Sequence, residues 1–180
     1  RSARLDKRQG IRLLEVPKPR LREIQRKILH RILDRIPPHP AAHGFRKGRS
    51  PRTFATPHAE REVVVSVDLR RFFPSIGFDR VVAIFEAVGY RRRVAANLAA
   101  LCTTVTPAGE LTGMDRATAA RLRTTHLPQG APTSPALANL AARQLDIRVA
   151  GLARTMGARY TRYADDLAFS GPAELDVDKL

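Results

Sequence analysis

Between Leu21 and Ile36 the apolar positions Leu21, Ile24, Ile28, Leu29, Ile32, Leu33 and Ile36 fall three and four residues apart, with Arg22, Arg26, Lys27 and Arg35 on other faces. That spacing predicts an amphipathic helix. Pro37-Pro38 should end it, because proline removes a ladder hydrogen bond and clashes with the preceding turn. Over residues 62–69 the period disappears into a near-continuous apolar run, Val63-Val64-Val65-Ser66-Val67-Asp68-Leu69. Such a run predicts a strand buried on both faces. Phe72-Phe73-Pro74-Ser75-Ile76 should turn the chain away, with helices expected over 78–88 and 93–103. Residues 104–126 are polar and irregular, apart from a short helix expected at 115–123. Ser134 suits a helix N-cap and Pro135 a first turn, so an Ala/Leu-rich helix is predicted from there to 154. Two short aromatic and apolar runs flank Asp165 and Asp166 in Tyr160-Thr161-Arg162-Tyr163-Ala164-Asp165-Asp166-Leu167-Ala168-Phe169-Ser170, which predicts a β-hairpin with acids at its tip. The first twenty residues, broken by Gly10, Pro17 and Pro19, read as basic loop with a short strand at 11–16.

Charge adds a partner class to this outline. The chain has 180 residues, a net charge of +15 and a pI near 11.4, which points to a polyanion. The charge is uneven: residues 1–62 carry 17 Lys/Arg against 6 Asp/Glu, and residues 63–180 carry 15 against 11. The N-terminal third therefore reads as a cationic clamp. Cys102 is the only cysteine, so neither an intramolecular disulfide nor a cysteine zinc cluster is possible, and its apolar neighbours predict a buried thiol. No apolar run reaches the ~20 residues needed to span a membrane and no signal peptide is visible, so no membrane partner and a cytoplasmic location are expected. The chain begins without Met and ends 14 residues after Asp166, and is expected to be a piece of something longer.

The candidate chemistry lies in the acids. Asp68 ends an apolar strand, and if that strand lies beside the hairpin, Asp68, Asp165 and Asp166 meet at one sheet edge. Three carboxylates so placed hold a pair of Mg²⁺ ions for phosphoryl transfer in many proteins. A capping aspartate and a solvated turn remain open as alternatives. In Gln129-Gly130-Ala131-Pro132-Thr133-Ser134-Pro135 the glycine lets backbone lie flat against a base or sugar and the prolines fix the path; a stiff helix lead-in is the alternative. Asn139, one turn beyond Pro135, could face the same site. One of Phe72 and Phe73 should pack beneath the sheet, and the other could floor a nucleotide's sugar. Residues 43–51, with Arg46, Lys47 and Arg49, form a basic loop whose glycines permit close approach to a ligand, or else an ordinary surface loop. His43, His58 and His126 lack metal-ligand spacing, and structural or solvent roles are expected for each.

Taken in order, Asp68-Leu69-Arg70-Arg71-Phe72-Phe73-Pro74-Ser75-Ile76, the Gln129–Pro135 loop with Asn139, and Tyr163-Ala164-Asp165-Asp166 resemble reverse transcriptases, most closely the bacterial retron type. His43-Gly44-Phe45-Arg46-Lys47-Gly48-Arg49-Ser50 and the segment from Pro17 to Gln25 resemble that group's N-terminal segments, so the resemblance covers the chain from about residue 7. It implies a mixed α/β (α+β) right-hand polymerase palm, an antiparallel sheet backed by helices, over 63–180, and a basic fingers region over 1–62. It implies that Asp68, Asp165 and Asp166 are catalytic ligands of two Mg²⁺, with Mn²⁺ as a possible substitute. Phe73 would match the gate that excludes a ribose 2′-hydroxyl, Gln129 and Gly130 would line the nucleotide pocket, and Arg12 would contact the triphosphate. Arg46, Lys47 and Arg49 would contact nucleic acid. The partners implied are an RNA template, a DNA or RNA primer, dNTPs and a structured non-coding RNA. Whether the role is antiviral defence or element mobility stays open. An RNA-dependent RNA polymerase and a non-catalytic nucleic-acid-binding domain descended from a polymerase are the rival readings. By the same resemblance, the later palm segments and the thumb are expected to lie beyond the residues of this chain.

Overall fold

The computed structural model of the chain describes residues 2–6 and 10–179. It has the expected mixed architecture, helices together with antiparallel sheet. Two compact units interleave along the sequence, one combining 1–36 with 71–141 and the other 37–70 with 142–180. Among the described residues no helix is long and apolar enough to cross a membrane.

In the first unit, Ser2–Asp6 (β1) and Gly10–Leu14 (β2) form an antiparallel hairpin. The second strand matches the expected one at 11–16; the first, Ser-Ala-Arg-Leu-Asp, falls in what was read as basic loop, because five residues with one large apolar side chain show no strand period. Helix α1, Pro19–Arg31, has proline in its first turn and gives way at Ile32 (φ −121°) to a 3-10 turn, Leu33–Arg35. The helix therefore stops before the prolines that were expected to end it. The chain continues through α3 (Phe72–Ser75; helix α2, Pro51–Ala55, belongs to the other unit), α4 (Phe78–Ala87), α5 (Arg92–Cys102) and α6 (Arg116–Leu122). Helix α4 packs on α5 and on α7, Ser134–Ala141, with Val81, Val82, Phe85, Ala95, Ala99 and Leu137 buried. Ser134 is thus the first helical residue, and the N-cap position expected for it falls on Thr133. The irregular stretch is partly a second core: Leu111 and Leu122 pack with Leu13 of β2. Burial pushes the Cys102 thiol up to about 11, so it is an inert packing group.

The long helix expected from Ser134 is two helices. Arg80 Nη2 donates to the Ala141 carbonyl (2.8 Å), and after Ala142 (φ −78°, ψ −5°) the chain resumes as α8, Arg143–Thr155, in the second unit. There Val63–Asp68 (β3), Arg159–Tyr163 (β4) and Asp166–Gly171 (β5) form an antiparallel sheet in the order β3-β5-β4. The expectation that β3 is buried on both faces is wrong. It is an edge strand, with Val64 55% and Val67 45% exposed. An apolar run reports the character of its side chains but not how many strands flank it, and among the described residues β3 pairs with β5 alone.

One face of this sheet, with Tyr160, Leu167 and Phe169 buried, packs on Ala153 of α8. The other face carries Thr161 and Ser170, and residues 51–58 pack on it over β4 and β5. Helix α2 (Pro51–Ala55), capped by Ser50 and Thr53 in a capping box, places Phe54 5.9 Å from the Tyr163 ring. Buried His58 sits 2.8 Å from Ser170 Oγ and 2.7 Å from Thr161 Oγ1, and His43 Nδ1 lies 2.9 Å from Thr53 Oγ1. Burial first and nearby arginines second lower both imidazoles below their ordinary range. Both histidines are structural, as expected.

Beneath the apolar face Asp146 of α8 and Arg162 of β4 are fully buried. Arg162 Nε donates to Asp146 Oδ1 (2.7 Å) and Nη2 to Oδ2 (2.8 Å), and the Tyr160 hydroxyl donates to Oδ1 (2.8 Å). Removing one member leaves an uncompensated charge out of water. Asp146→Ala should therefore lower unfolding free energy by about 3–5 kcal/mol, read from the urea midpoint at constant m. A shift within error would show that the pair does not hold the unit together.

Candidate active site

The register of the sheet pairs Asp68 at the end of β3 with Asp166 at the start of β5, and Asp166 in turn with Tyr163 of β4. Ala164 and Asp165 make the two-residue turn between β4 and β5. Neighbouring strands lie about 5 Å apart, so the three carboxylates share one end of the sheet.

The tip is fixed through its backbone. Leu69 N–H, just past β3, donates to the Asp165 carbonyl (2.9 Å). Arg162 Nη1, the arm of the guanidinium not used on Asp146, donates to the Ala164 carbonyl (2.8 Å). Ala164 adopts φ +57°, a left-handed conformation that a non-glycine residue keeps only when its surroundings hold it there. Gly44 lies against it, and a Cβ at that position would collide with the Ala164 backbone nitrogen. On either side of Ala42 the backbone ties to β4: Ala41 O accepts from Arg162 N (2.8 Å), and His43 N, next to Gly44, donates to Arg162 O (2.7 Å). Gly44 was expected to allow approach to a ligand; the close approach it allows is to the hairpin tip.

Asp68 and Asp166 are exposed and Asp165 is half-buried. The Asp166 carboxyl is raised above the usual carboxylate range by partial burial first, then by the negative charge of Asp165 and of Asp68. The part of that rise that comes from Asp165 and Asp68 reflects crowded negative charge, which a divalent cation relieves. This donor set, all hard oxygen, fits Mg²⁺ or Mn²⁺. Among the described residues no three His, Cys, Asp or Glu side chains close into a cage for an ion. Mg²⁺ typically keeps several waters and binds through one or two carboxylates and substrate phosphates, so an open cluster suits it.

Of the remaining predicted residues, Arg12, Phe72, Phe73, Gln129, Gly130 and Asn139 belong to the first unit, and Arg46, Lys47 and Arg49 to the second. Phe72 is buried and Phe73 half-buried, their rings edge to face with centroids 5.7 Å apart. Gln129 is half-buried and Gly130 exposed with φ +115°, a conformation open to glycine. Asn139 is buried in α7. Lys47 and Arg49 are exposed, whereas Arg46 Nη1 donates to the carbonyls of His39 (3.1 Å) and Ala42 (2.9 Å). Arg12 belongs to β2, but its side chain lies outside the described residues. Sequence reasoning missed Asp146 and Arg162. The local pattern carried no signal for them, because Asp146 lies among Arg143, Gln144 and Arg148 as a solvated helix face would, and Arg162 lies beside Thr161.

The reverse transcriptase (RNA-dependent DNA polymerase) family model matches residues 5–179. The chain is 48% identical over 170 residues to the retron Mx65 reverse transcriptase of Myxococcus xanthus, covering 90% of this chain and 38% of that protein. It is 42% identical over 172 residues to the retron Mx162 reverse transcriptase of the same organism, covering 92% and 34%. With the retron Ec86 reverse transcriptase of Escherichia coli it shares 35% over 169 residues, covering 94% and 47%. The chain thus spans between a third and a half of these relatives' length.

The crowded acids make a stability prediction. Because the folded-state pKa of Asp166 is raised, its ionisation opposes folding; the penalty is absent at acid pH and fully present at pH 7. Asp166→Asn should therefore raise the thermal midpoint by about 1–3 °C at pH 7 in EDTA. Added Mg²⁺ should stabilise the unsubstituted protein more and close the gap. An unchanged gap in Mg²⁺ would remove the metal from this site.

Proposed function

The chain belongs to the reverse transcriptase family, and from that membership we propose that it carries the catalytic carboxylates of an RNA-templated DNA polymerase of the retron type. The observation that carries the reading is the pairing of Asp68 with Asp166 beside a turn that holds Asp165. Residues 1–62 act as fingers and residues 63–180 as palm. The reaction is attack of a primer 3′-hydroxyl on the α-phosphorus of a dNTP, forming the new P–O bond as the bond to pyrophosphate breaks.

Asp68, Asp165 and Asp166 hold the divalent cations. Two Mg²⁺, or Mn²⁺ in their place, supply activation of the hydroxyl and neutralisation of the leaving pyrophosphate when bound. Phe73 presents an aromatic wall to the sugar; a 2′-hydroxyl there meets a clash and loses its water without gaining a partner. Gln129 and Gly130 line the nucleotide pocket, and Arg12 meets the triphosphate. Lys47 and Arg49, with Arg46 stiffening their loop, contact the nucleic-acid backbone, in keeping with the chain's net charge of +15. The partners are an RNA template and primer, including a structured non-coding RNA, and the setting is the cytoplasm.

Primer extension by the full-length protein tests the assignment. Asp165→Asn and Asp166→Asn should each lower dNTP incorporation by about 10³-fold or more while template–primer affinity stays within twofold. Full activity in both would sink the three-carboxylate assignment. Phe73→Ala should admit NTPs, raising the ratio of NTP to dNTP use by about 10–100-fold, since the substitution removes the wall and not the catalytic acids. Unchanged discrimination would free Phe73 of that role, and wild-type preference for NTPs would identify an RNA polymerase instead.

A further inference from the structure

A second buried acid–base pair lies in the first unit, and nothing assigned so far uses it. Glu15, just past β2, is 5% exposed and His126 is fully buried. His126 Nε2 lies 2.9 Å from Glu15 Oε2, its Nδ1 lies 2.7 Å from the Thr124 carbonyl, and the Thr106 hydroxyl donates to Glu15 Oε1 (2.6 Å). A carbonyl can only accept, so Nδ1 carries a hydrogen, and a further proton must lie between Nε2 and the carboxylate. Both oxygens of the acid and both nitrogens of the ring are therefore engaged.

The same residues hold the main chain. His126 exchanges backbone hydrogen bonds with Thr104, 2.9 Å each way, and Leu127 N donates to Ile76 O (3.0 Å). Three residues further on, Gln129 O accepts from Glu15 N at 2.6 Å. Gly130 packs on this junction: a Cβ there would come within 3.3 Å of Val16 Cγ2 and 3.5 Å of the Glu15 carbonyl. Glu15 thus grips the 126–130 segment at both ends, through its side chain at His126 and through its backbone at Gln129.

We propose that Glu15 and His126 are positioning residues for the dNTP pocket, locking the end of strand β2 to the Gln129-Gly130 loop. The inference rests on the reading of Gln129 and Gly130 as pocket residues. If the pair were dissolved, the loop would keep its sequence and its glycine but lose the anchor that sets its distance from β2, the strand that carries Arg12. Nucleotide binding should then weaken while the acids at the hairpin tip work unchanged.

Steady-state dNTP kinetics of the full-length protein test this. Glu15→Ala and His126→Ala should each raise the dNTP KM by about tenfold with kcat within about threefold, because a loosened pocket loses binding and not chemistry. A merely structural role would lower the active fraction, and so apparent kcat, at constant KM. Glu15→Gln can still accept from Thr106 and donate to a neutral His126 Nε2, and should keep the wild-type KM within about threefold. Where an alanine variant does not fold by circular dichroism, Glu15→Asp carries the test: it keeps the charge, shortens the reach by one methylene and should still raise KM. An unchanged KM in the folded variants, or a loss confined to kcat, overturns the proposal. The outcomes separate from those of the polymerase reading: an active wild type silenced by Asp166→Asn, with Glu15 variants of normal KM, sinks only the positioning role, whereas a wild type that incorporates no dNTP sinks both.

Discussion

Asp146 and Arg162 are groups that water solvates strongly, yet both are fully buried under the sheet of the second unit. Taking them out of water costs several kcal/mol per ion, and their mutual attraction repays this only when every donor and acceptor is used. Here Nε and Nη2 take the two carboxylate oxygens, Tyr160 adds a third bond to the acid, and Nη1 goes to the Ala164 carbonyl. An apolar side chain could fill the same volume at less expense in desolvation. It could not hold a carbonyl in the turn that carries Asp165. The pair is best understood as specifying geometry: it converts the packing of α8 on the sheet into a fixed position for the hairpin tip.

The same tip carries the structure's least comfortable features. Ala164 stands in a left-handed conformation, Gly44 is pressed against it, and three carboxylates share one end of a sheet. Each is unfavourable in a chain selected for stability alone, and such features concentrate where a ligand will be bound. The bonds that hold the tip, from Leu69, Arg162 and the 41–43 backbone, end on main-chain atoms. The acids are therefore oriented from behind, without drawing on the carboxylate lone pairs that a cation would need.

Among the described residues each unit contains a buried acid–base pair, and each pair joins a strand or its end to another segment. In the second unit Asp146 and Arg162 join α8 to β4; in the first, Glu15 and His126 join the end of β2 to the approach to Gln129. Hydrophobic packing is tolerant of small displacements, whereas a doubly engaged carboxylate fixes distance and angle together. Loops that must present backbone to a ligand gain most from such an anchor, because they have few side chains to pack.

Much was legible in the chain itself. Helical spacing located α1, α4 and α5, and the paired acids between apolar runs located the β4–β5 hairpin, because period and turn chemistry are local properties. The order of Asp68, Phe73, Gln129 and Asp165-Asp166 pointed to the family before any contact was known. What local pattern could not supply was adjacency. Whether β3 lay at an edge or in the middle depends on partners distant in sequence, and Val64 and Val67 look the same in either place. The break of one long helix at Ala142 was hidden for the same reason. So were the uses of Gly44 against Ala164, of Arg162 against Asp146 and of Glu15 against His126, residues separated by between 16 and 120 positions. The sequence by itself determined which acids the chain could offer and on which elements. Only the tertiary structure decided that Asp68 faces Asp166 across a strand pair and what holds them there, because a register and a buried ion pair exist only once distant segments meet.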